Sequence, residues 1–116
     1  MDEIITIFKA LSDPTRFKIF FLLSRKTLCV NALVNLLQIS QPAVSQHLGI
    51  LKQADLVEAA RKGYWMHYSV NERRMKAFLN EVRALLRDEK VEDKALTRGK
   101  VAVKTRKMHN HKRSMC

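Results

Sequence analysis

Residues 29–54 contain the polar side chains whose types and spacing best fit a chemical task. This stretch reads CVNALVNLLQISQPAVSQHLGILKQA, which predicts two short helices joined by a tight turn at residues 38–40. Each residue of an α-helix rotates by about 100°, so the second helix separates into two arcs. The apolar arc contains Ala43, Val44, Leu48, Ile50, Leu51 and Ala54, and the polar arc contains Gln41, Ser45, Gln46, Gly49, Lys52 and Gln53.

The polar arc of the second helix has amides, a hydroxyl and a cation, but no acid. Glutamine can hydrogen-bond adenine at two positions, serine donates or accepts, and lysine reaches guanine or phosphate. An acid on this arc would be repelled by phosphate. We therefore interpret Gln41, Ser45 and Gln46 as candidate base-reading residues and Lys52 as a phosphate contact. The alternative is a solvated helix face without acids.

The histidines of the chain do not fit a catalytic site. His47 projects onto the apolar arc, which favours a buried histidine bonded to a neighbouring helix over a base contact. Neither His47 nor His67 has a Ser, Cys or Asp at a recognisable catalytic spacing, and the sequence has no glycine-rich phosphate loop. We therefore expect that the protein is not an enzyme.

The chain is strongly basic, which bears on its partners. It has 22 Lys and Arg against 11 Asp and Glu over 116 residues, a net charge of +11. Such a charge favours polyanions, nucleic acid before anionic membrane. Eight of the basic residues lie in residues 91–116, where hydrophobic periodicity fades. We predict one domain over residues 1–90 and a basic, flexible tail over residues 91–116.

The compartment is inferred from what the sequence lacks. No apolar run is long enough to span a membrane, and the acidic N-terminus has no signal-peptide pattern. The two cysteines, Cys29 and Cys116, lie far apart in the chain. We therefore expect no structural disulfide, no membrane partner and a cytoplasmic location.

The elements around the two short helices follow from apolar spacing. Residues 2–11 predict a short amphipathic helix. A second helix is predicted from Pro14 to about Ser24, with Asp13 as its cap. Because this second helix is apolar nearly all round, we predict that it is the central buried element.

A change of period from 3.6 to 2 follows residue 55. Residues 57–61 and 64–70 alternate, which predicts a hairpin joined around Lys62 and Gly63. The tip would present Arg61 and Lys62 for contact with phosphate or the minor groove. The alternative is a solubilising turn.

Asn71 to about Asp88 predicts the longest helix, with a sustained apolar seam. A small domain cannot easily bury this seam together with the stripe of the first helix. We therefore predict a homodimer through the first and last helices, unless the last helix packs wholly on its own domain. The predicted interface residues are Ile4, Ile5, Phe8, Met75, Phe78, Leu79, Val82 and Leu86.

Three segments of the chain resemble the ArsR/SmtB repressors. Residues 8–16 (FKALSDPTR) resemble their opening signature, residues 40–48 (SQPAVSQHL) with 51–52 and 56–57 their recognition helix, and residues 63–69 (GYWMHYS) their wing. The predicted order of elements is a winged helix-turn-helix, mainly α with a small β-hairpin. The resemblance implies a homodimeric transcriptional repressor on an inverted-repeat operator in double-stranded DNA, released when an inducer, often a metal ion, binds.

The inducer site matches the family less completely than the fold does. Arsenic-binding members have two cysteines before the turn, whereas this chain has Cys29 followed by Asn31 and Ala32. Soft metal ions and metalloids favour two or three thiolates, and residues 71–90 contain no histidine for a zinc-type site.

Four interpretations of Cys29 and the tail remain open. Cys29 could join Cys116 in a two-thiolate site, or the tail could bind metal through His109, His111 and its sulfur atoms. Cys29 could instead be a thiol switch near a helix start, or a small buried residue. The corresponding functions are a repressor released by a soft metal ion, a metalloid or an oxidant, or a repressor without an inducer. A general polyanion binder acting through its tail is a third possibility.

Overall fold

A computed structural model describes residues 2–87 and 114–115 of the chain. The described residues form α1 (Asp2–Leu11), α2 (Pro14–Arg25), β1 (Thr27–Cys29), α3 (Val30–Leu37), α4 (Gln41–Gln53), β2 (Val57–Lys62), β3 (Trp65–Val70), α5 (Glu72–Leu86) and β4 (Ser114–Met115). The helices α3 and α4 are the helix-turn-helix, and the hairpin β2–β3 is the wing. The predicted fold class is confirmed.

The helix ends are set by short polar side chains. The Asp13 carboxylate accepts a hydrogen bond from the Arg16 amide at 2.9 Å, and Pro14 occupies the first turn of α2. This confirms the predicted cap. The Asn71 side chain accepts from the Arg74 amide at 3.2 Å and begins α5 in the same way. Each cap satisfies an amide that has no partner within its own helix.

The wing belongs to a sheet with the strand order β2-β3-β1-β4. The strands β2, β3 and β1 pair antiparallel, whereas β4 pairs parallel to β1, with Leu28 opposite Met115. The sequence patterns predict neither β1 nor a strand in the tail. Strands of two or three residues are too short to show a periodicity, so sequence patterns do not detect β1 and β4.

The turn of the wing differs by one residue from the prediction. The strands end at Lys62 and restart at Trp65, so Gly63 and Tyr64 form the turn instead of Lys62 and Gly63. Gly63 has a φ of 63°, and Tyr64 does not have a positive φ. A positive φ at the first turn position alone is the type II′ pattern, which selects glycine there.

The hydrophobic core lies between the five helices and the inner strands. Its most deeply buried side chains come from α1, α2, β1, α3, α4, Leu56 and the start of β2. They are Ile7, Ile19, Leu23, Leu28, Cys29, Leu33, Val44, Leu48, Leu51, Leu56 and Val57. Burial of each large side chain contributes about 1.5–3 kcal/mol, so this core fixes α4 relative to the rest of the domain.

The prediction that α2 is the central buried element holds for one side of this helix. Ile19, Phe20 and Leu23 are buried, but Phe17 and Phe21 are 50% and 48% exposed. A domain of this size covers only one side of α2. The guanidinium of Arg25 lies 5.1 Å from the centre of the Phe21 ring and partly covers it through a cation–π contact.

Candidate nucleic-acid interface

The two arcs predicted for α4 are confirmed as its buried and exposed faces. Val44, Leu48 and Leu51 are buried in the core. The six residues of the polar arc are exposed: Gln41, Ser45, Gln46, Gly49, Lys52 and Gln53. Their backbone is held by the core, so this acid-free surface, which we call the polar face of α4, is presented on a rigid element.

The start of α4 is capped by Ser40. The Ser40 hydroxyl accepts a hydrogen bond from the Ala43 amide at 3.2 Å, and the Ser40 carbonyl accepts from the Val44 amide at 3.1 Å. Pro42 has no amide hydrogen, so Ala43 is the donor that the cap must satisfy. The remaining N-terminal amide dipoles give this end of α4 a partial positive charge, which favours phosphate nearby.

A polar cluster joins α4 to the first two helices. Nη1 of Arg16 lies 3.5 Å from Nδ1 of His47, and the Asp13 carboxylate lies 3.9 Å from the same nitrogen. The other guanidinium nitrogens of Arg16 donate to the carbonyls of Lys9 and Ala10 at the end of α1. His47 therefore contacts α2, which agrees with the interpretation of a histidine bonded to a neighbouring helix.

The pKa of Asp13 is lowered from its usual value of 3.8. The hydrogen bond from the Arg16 amide is the largest cause, and electrostatic interactions with His47 and Arg16 lower the pKa further. Partial burial of the carboxyl acts in the opposite direction. The ionised carboxylate of Asp13 is thus part of the native arrangement that fixes α2 beside α4.

The wing presents both predicted cations to solvent. Arg61 and Lys62 are exposed at the end of β2, and Tyr64 in the turn is 97% exposed. His67, in contrast, is buried on β3. Tyr64 was not among the predicted site residues. Its place directly after Gly63 could have indicated it, because the residue that follows glycine in a two-residue hairpin turn lies at the tip.

The predicted dimer residues lie together on α1 and α5, but they differ in exposure. Four are exposed: Ile5, Phe8, Leu79 and Leu86. Met75 and Val82 are partly buried against the core, and Ile4 and Phe78 are buried within it. The rings of Phe8 and Phe78 meet edge to face with their centres 5.1 Å apart. This contact joins the exposed apolar surface to the core beneath it.

Cys29 is disulfide-bonded, which differs from the expectation of no structural disulfide. It lies buried at the end of β1 and precedes the first residue of α3. The physical reason is tertiary, because the pairing of β1 with β4 brings residues 114–115 beside residues 27–28. Cys116, the other cysteine of the sequence, lies outside the described residues.

The described residues do not fit a soft-metal site. Residues 2–87 and 114–115 contain no group of three or more His, Cys, Asp or Glu side chains that could hold a metal ion. The sulfur of Cys29 is used in a disulfide and is not a thiolate ligand. The tail candidates His109, His111 and Cys116 lie outside the described residues.

Within the described part of the chain, no helix combines the length and the apolar character that crossing a membrane requires.

Known proteins with a similar sequence or fold are transcriptional regulators. The family model described as "Bacterial regulatory protein, arsR family" matches residues 13–59. The chain is 45% identical over 65 residues to the transcriptional repressor SdpR of Bacillus subtilis (strain 168), covering 56% of this chain and 72% of SdpR. It is 41% identical over 68 residues to the arsenical resistance operon repressor of Escherichia coli (strain K12), covering 58% of each chain.

Solved structures give the same result over more of the chain. An ArsR-like transcriptional regulator from Rhodococcus sp. RHA1 has a TM-score of 0.65 and 30% identity, covering 90% of this chain and 96% of that one. The homodimeric winged helix-turn-helix DNA-binding domain Mb0332 from Mycobacterium bovis has a TM-score of 0.61 and 30% identity, covering 72% and 79% respectively. The chain therefore belongs to the ArsR family of winged helix-turn-helix transcriptional regulators, which are not enzymes.

Proposed function

We propose that the protein is a sequence-specific repressor that binds an inverted-repeat operator as a homodimer, with the polar face of α4 in the major groove. The observation that carries this proposal is the exposure of the polar face of α4. Its six residues include no acid, and the opposite side of the helix is fixed in the core. The exposed cations of the wing lie at the other end of β2, which follows α4 in the chain.

The contacts are assigned by chemistry and by position on α4. Gln41, Ser45 and Gln46 read base edges, because amides and hydroxyls match the donors and acceptors of the major groove. Three cations, Lys52, Arg61 and Lys62, bind phosphate. Phosphate contacts position the protein, and base contacts supply the sequence preference.

Pairing of two copies supplies the second half-site. The exposed residues Ile5, Phe8 and Leu79 form an apolar surface on α1 and α5, and its burial by a second copy would remove it from water. The homodimeric state of the similar Mycobacterium bovis domain supports pairing of two copies. In the proposed dimer the two copies of α4 occupy successive major grooves, about 34 Å apart.

The DNA assignment is tested on a duplex that the purified protein enriches from a randomised library. Gln46→Ala should cost about 1–3 kcal/mol of discrimination at one base pair. Lys62→Ala should weaken binding to all sequences alike, and it should reduce the salt dependence of binding by the equivalent of about one phosphate contact. Fluorescence anisotropy over a salt series measures both. If Gln46→Ala leaves discrimination between the selected and a scrambled duplex unchanged, the assignment of α4 to the major groove is wrong.

The dimer assignment is tested by a charge on the apolar surface. Leu79→Lys should shift the protein to monomer in analytical ultracentrifugation, because it places a cation where two apolar surfaces meet. Leu36→Lys on α3 is the matched control, since Leu36 is 53% exposed and Leu79 is 49% exposed. A Leu79→Lys protein that remains dimeric contradicts the proposed interface.

For the inducer, the disulfide at Cys29 supports a thiol oxidant. Cys29 is disulfide-bonded, and the described residues lack a group of metal ligands. We assign Cys116 as its partner in this proposal, since it is the other cysteine of the chain. The two thiols lose two protons and two electrons to an oxidant such as a peroxide, which is reduced to water, and a disulfide forms. This disulfide would favour the form of the dimer with low DNA affinity.

Release from DNA separates the possible inducers. The reduced protein on its selected duplex is titrated with peroxide, arsenite, zinc and copper(I) in separate experiments, and anisotropy is followed. Peroxide should release the wild type, whereas Cys29→Ser should stay bound. Release by a metal ion alone would contradict the oxidant proposal, and no release by any addition would support a repressor without an inducer. Deletion of residues 91–116 should leave the sequence preference of either kind of repressor intact, whereas a general polyanion binder would show no sequence preference before the deletion.

A further inference from the structure

A cysteine and a histidine lie opposite each other in the sheet that carries the wing. In the antiparallel pairing of β1 with β3, Cys29 is the direct partner of His67, and Leu28 is the partner of Tyr68. Successive residues of a strand project to opposite sides, so Cys29 and His67 share the side of the sheet that Tyr68 does not occupy. Directly opposite residues have Cβ atoms about 4.5–5.5 Å apart, which brings the imidazole within reach of the sulfur.

Both side chains are withdrawn from solvent. Cys29 is 1% exposed and His67 is 7% exposed. Within the described residues, His67 is the one polar or charged side chain that is buried. Charges interact more strongly in such a place than in water, because the effective dielectric constant is lower. A positive charge on the imidazole would therefore act strongly on a charge at the neighbouring sulfur.

The start of a helix acts on the same sulfur. Cys29 occupies the N-cap position of α3, whose eight residues are Val30–Leu37. The amide dipoles at the start of a helix favour a negative charge there, and a cysteine at this position ionises more easily. A neighbouring protonated histidine has the same effect on a thiol. Two features of the fold thus favour negative charge on the sulfur of Cys29.

Few other charges face this pair. On the same side of the sheet, β2 contributes Glu58, Ala60 and Lys62, and the uncharged Ala60 is the direct partner of His67. Glu58 and Lys62 have opposite signs and are exposed, so water and salt screen them. The helix α3 and the strand β4 contain no charged residue. The core packs against Tyr68, on the opposite side of β3. His67 is therefore the nearest titratable neighbour of Cys29 among the described residues.

We propose that His67 is a positioning residue for the sulfur of Cys29, and that together with the start of α3 it makes the Cys29 disulfide readily opened by a dithiol reductant. Because Cys29 is buried, the thiolate of the reductant attacks the sulfur of Cys116, and Cys29 is the leaving group. The protonated imidazole donates a hydrogen bond to the departing sulfur. Thiol–disulfide exchange is faster when the leaving thiolate is more stable.

The exchange takes place in two displacements. The reductant forms a bond to the sulfur of Cys116, the original disulfide breaks, and its electron pair leaves on Cys29. The second thiol of the reductant then displaces Cys116. The dithiol is oxidised to a disulfide, and its two protons and two electrons end on the two cysteines. This inference rests on the proposed release by an oxidant and adds the step that reverses it.

The first experiment measures the rate at which dithiothreitol reduces the oxidised, full-length protein. Samples are quenched with acid, and free thiols are counted by mass after alkylation. At pH 6, His67→Gln should be reduced about tenfold more slowly than the wild type, because it lacks the cation beside the leaving sulfur. His47→Gln is the matched control, since His47 contacts Arg16 on α2, and its rate should equal that of the wild type.

The pH profile separates a charge effect from a structural one. At each pH, the ratio of the wild-type rate to the His67→Gln rate cancels the ionisation of dithiothreitol. This ratio should fall from about tenfold at pH 6 towards one above about pH 8, where an ordinary histidine is neutral. A ratio that does not change with pH would show that His67 only supports the local structure, and it would overturn the proposal.

A second experiment needs no substitution, so it applies even if His67→Gln does not fold. The oxidised wild type is treated briefly with 2-mercaptoethanol and quenched, and the mixed disulfide is located by peptide mass. The adduct should lie on Cys116, with Cys29 as the free thiol. An adduct on Cys29 would show that Cys29 is not the leaving group and would contradict the proposal.

These outcomes are distinct from those of the proposed function. If peroxide forms the disulfide but does not release the protein from DNA, the proposed oxidant response is wrong, whereas the reduction rates still test the role of His67. If peroxide releases the wild type and His67→Gln is reduced at the wild-type rate at pH 6, only the inference about His67 is wrong.

Discussion

The substitution Gly49→Ala should stabilise the protein and weaken its binding to DNA. Gly49 lies in the interior of α4 and near the centre of the polar face, between Ser45 and Gln53 along the helix. A Cβ atom added at Gly49 would meet no atom within 4 Å in the described structure, apart from its chain neighbours and the backbone of its own helix. The fold therefore has room for a methyl group at this position.

The magnitude for stability follows from the position of Gly49. Alanine at an exposed site inside a helix is favoured over glycine by about 0.5–1 kcal/mol, because glycine loses more backbone entropy on folding. Since the added methyl group clashes with no neighbouring side chain, no steric strain reduces this gain in stability. The free energy of unfolding should rise by that amount, and the melting temperature should rise by a few degrees at fixed protein concentration.

In contrast to its effect on stability, Gly49→Ala should be unfavourable for DNA binding. A glycine at the centre of the face lets the helix backbone approach the bases closely, and a methyl group there would hold the helix away. A displacement that lengthens the hydrogen bonds of Ser45 and Gln46 should cost about 1.4 kcal/mol, which is tenfold in affinity. Binding to the selected duplex should weaken more than binding to a scrambled one, since phosphate contacts are longer in range.

Urea unfolding and anisotropy on the same preparation of Gly49→Ala measure the two effects. A gain in stability with unchanged affinity would refute the close approach of α4 to DNA. A loss of stability would refute the exposed position of Gly49 itself. The two measurements are independent, so neither result can be attributed to misfolding.

Two further predictions concern the caps that hold α4 and α2. Ser40→Ala should lower the free energy of unfolding by about 1 kcal/mol, because the Ala43 amide loses its acceptor, whereas Ser40→Asp should retain stability; urea unfolding that shows no difference between Ala and Asp would contradict the cap. Folding lowers the pKa of Asp13 below its usual value of 3.8, so the ionised carboxylate stabilises the fold at any pH above about 3.8. This stabilisation is lost as the pH falls through the lower pKa of the folded state. Asp13→Asn should therefore flatten the dependence of unfolding free energy on pH below about pH 4, and identical slopes for Asp13→Asn and wild type would show that Asp13 is not linked to folding.

Sequence patterns were sufficient for the features that depend on neighbouring residues. The two arcs of α4, the cap at Asp13 and the hairpin that follows residue 56 were predicted and are present. These features follow from helical and strand periods and from hydrogen bonds between residues three apart, such as Asp13 and Arg16. Such rules act within a few residues, so they can be applied before the chain is folded.

The features that the sequence did not reveal all depend on which surfaces meet. The strand β1 is defined by pairing with β3 and β4, residues that are distant in the chain. The exposed side of α2 and the disulfide at Cys29 are likewise settled by what packs nearby. The contact of Arg16 with His47 joins two residues of different helices that are 31 positions apart in the sequence. Local composition determined the helices, the wing and the polar face of α4. Only tertiary packing decided β1, β4 and the neighbours of each element, because contacts between distant residues depend on the arrangement of the whole core.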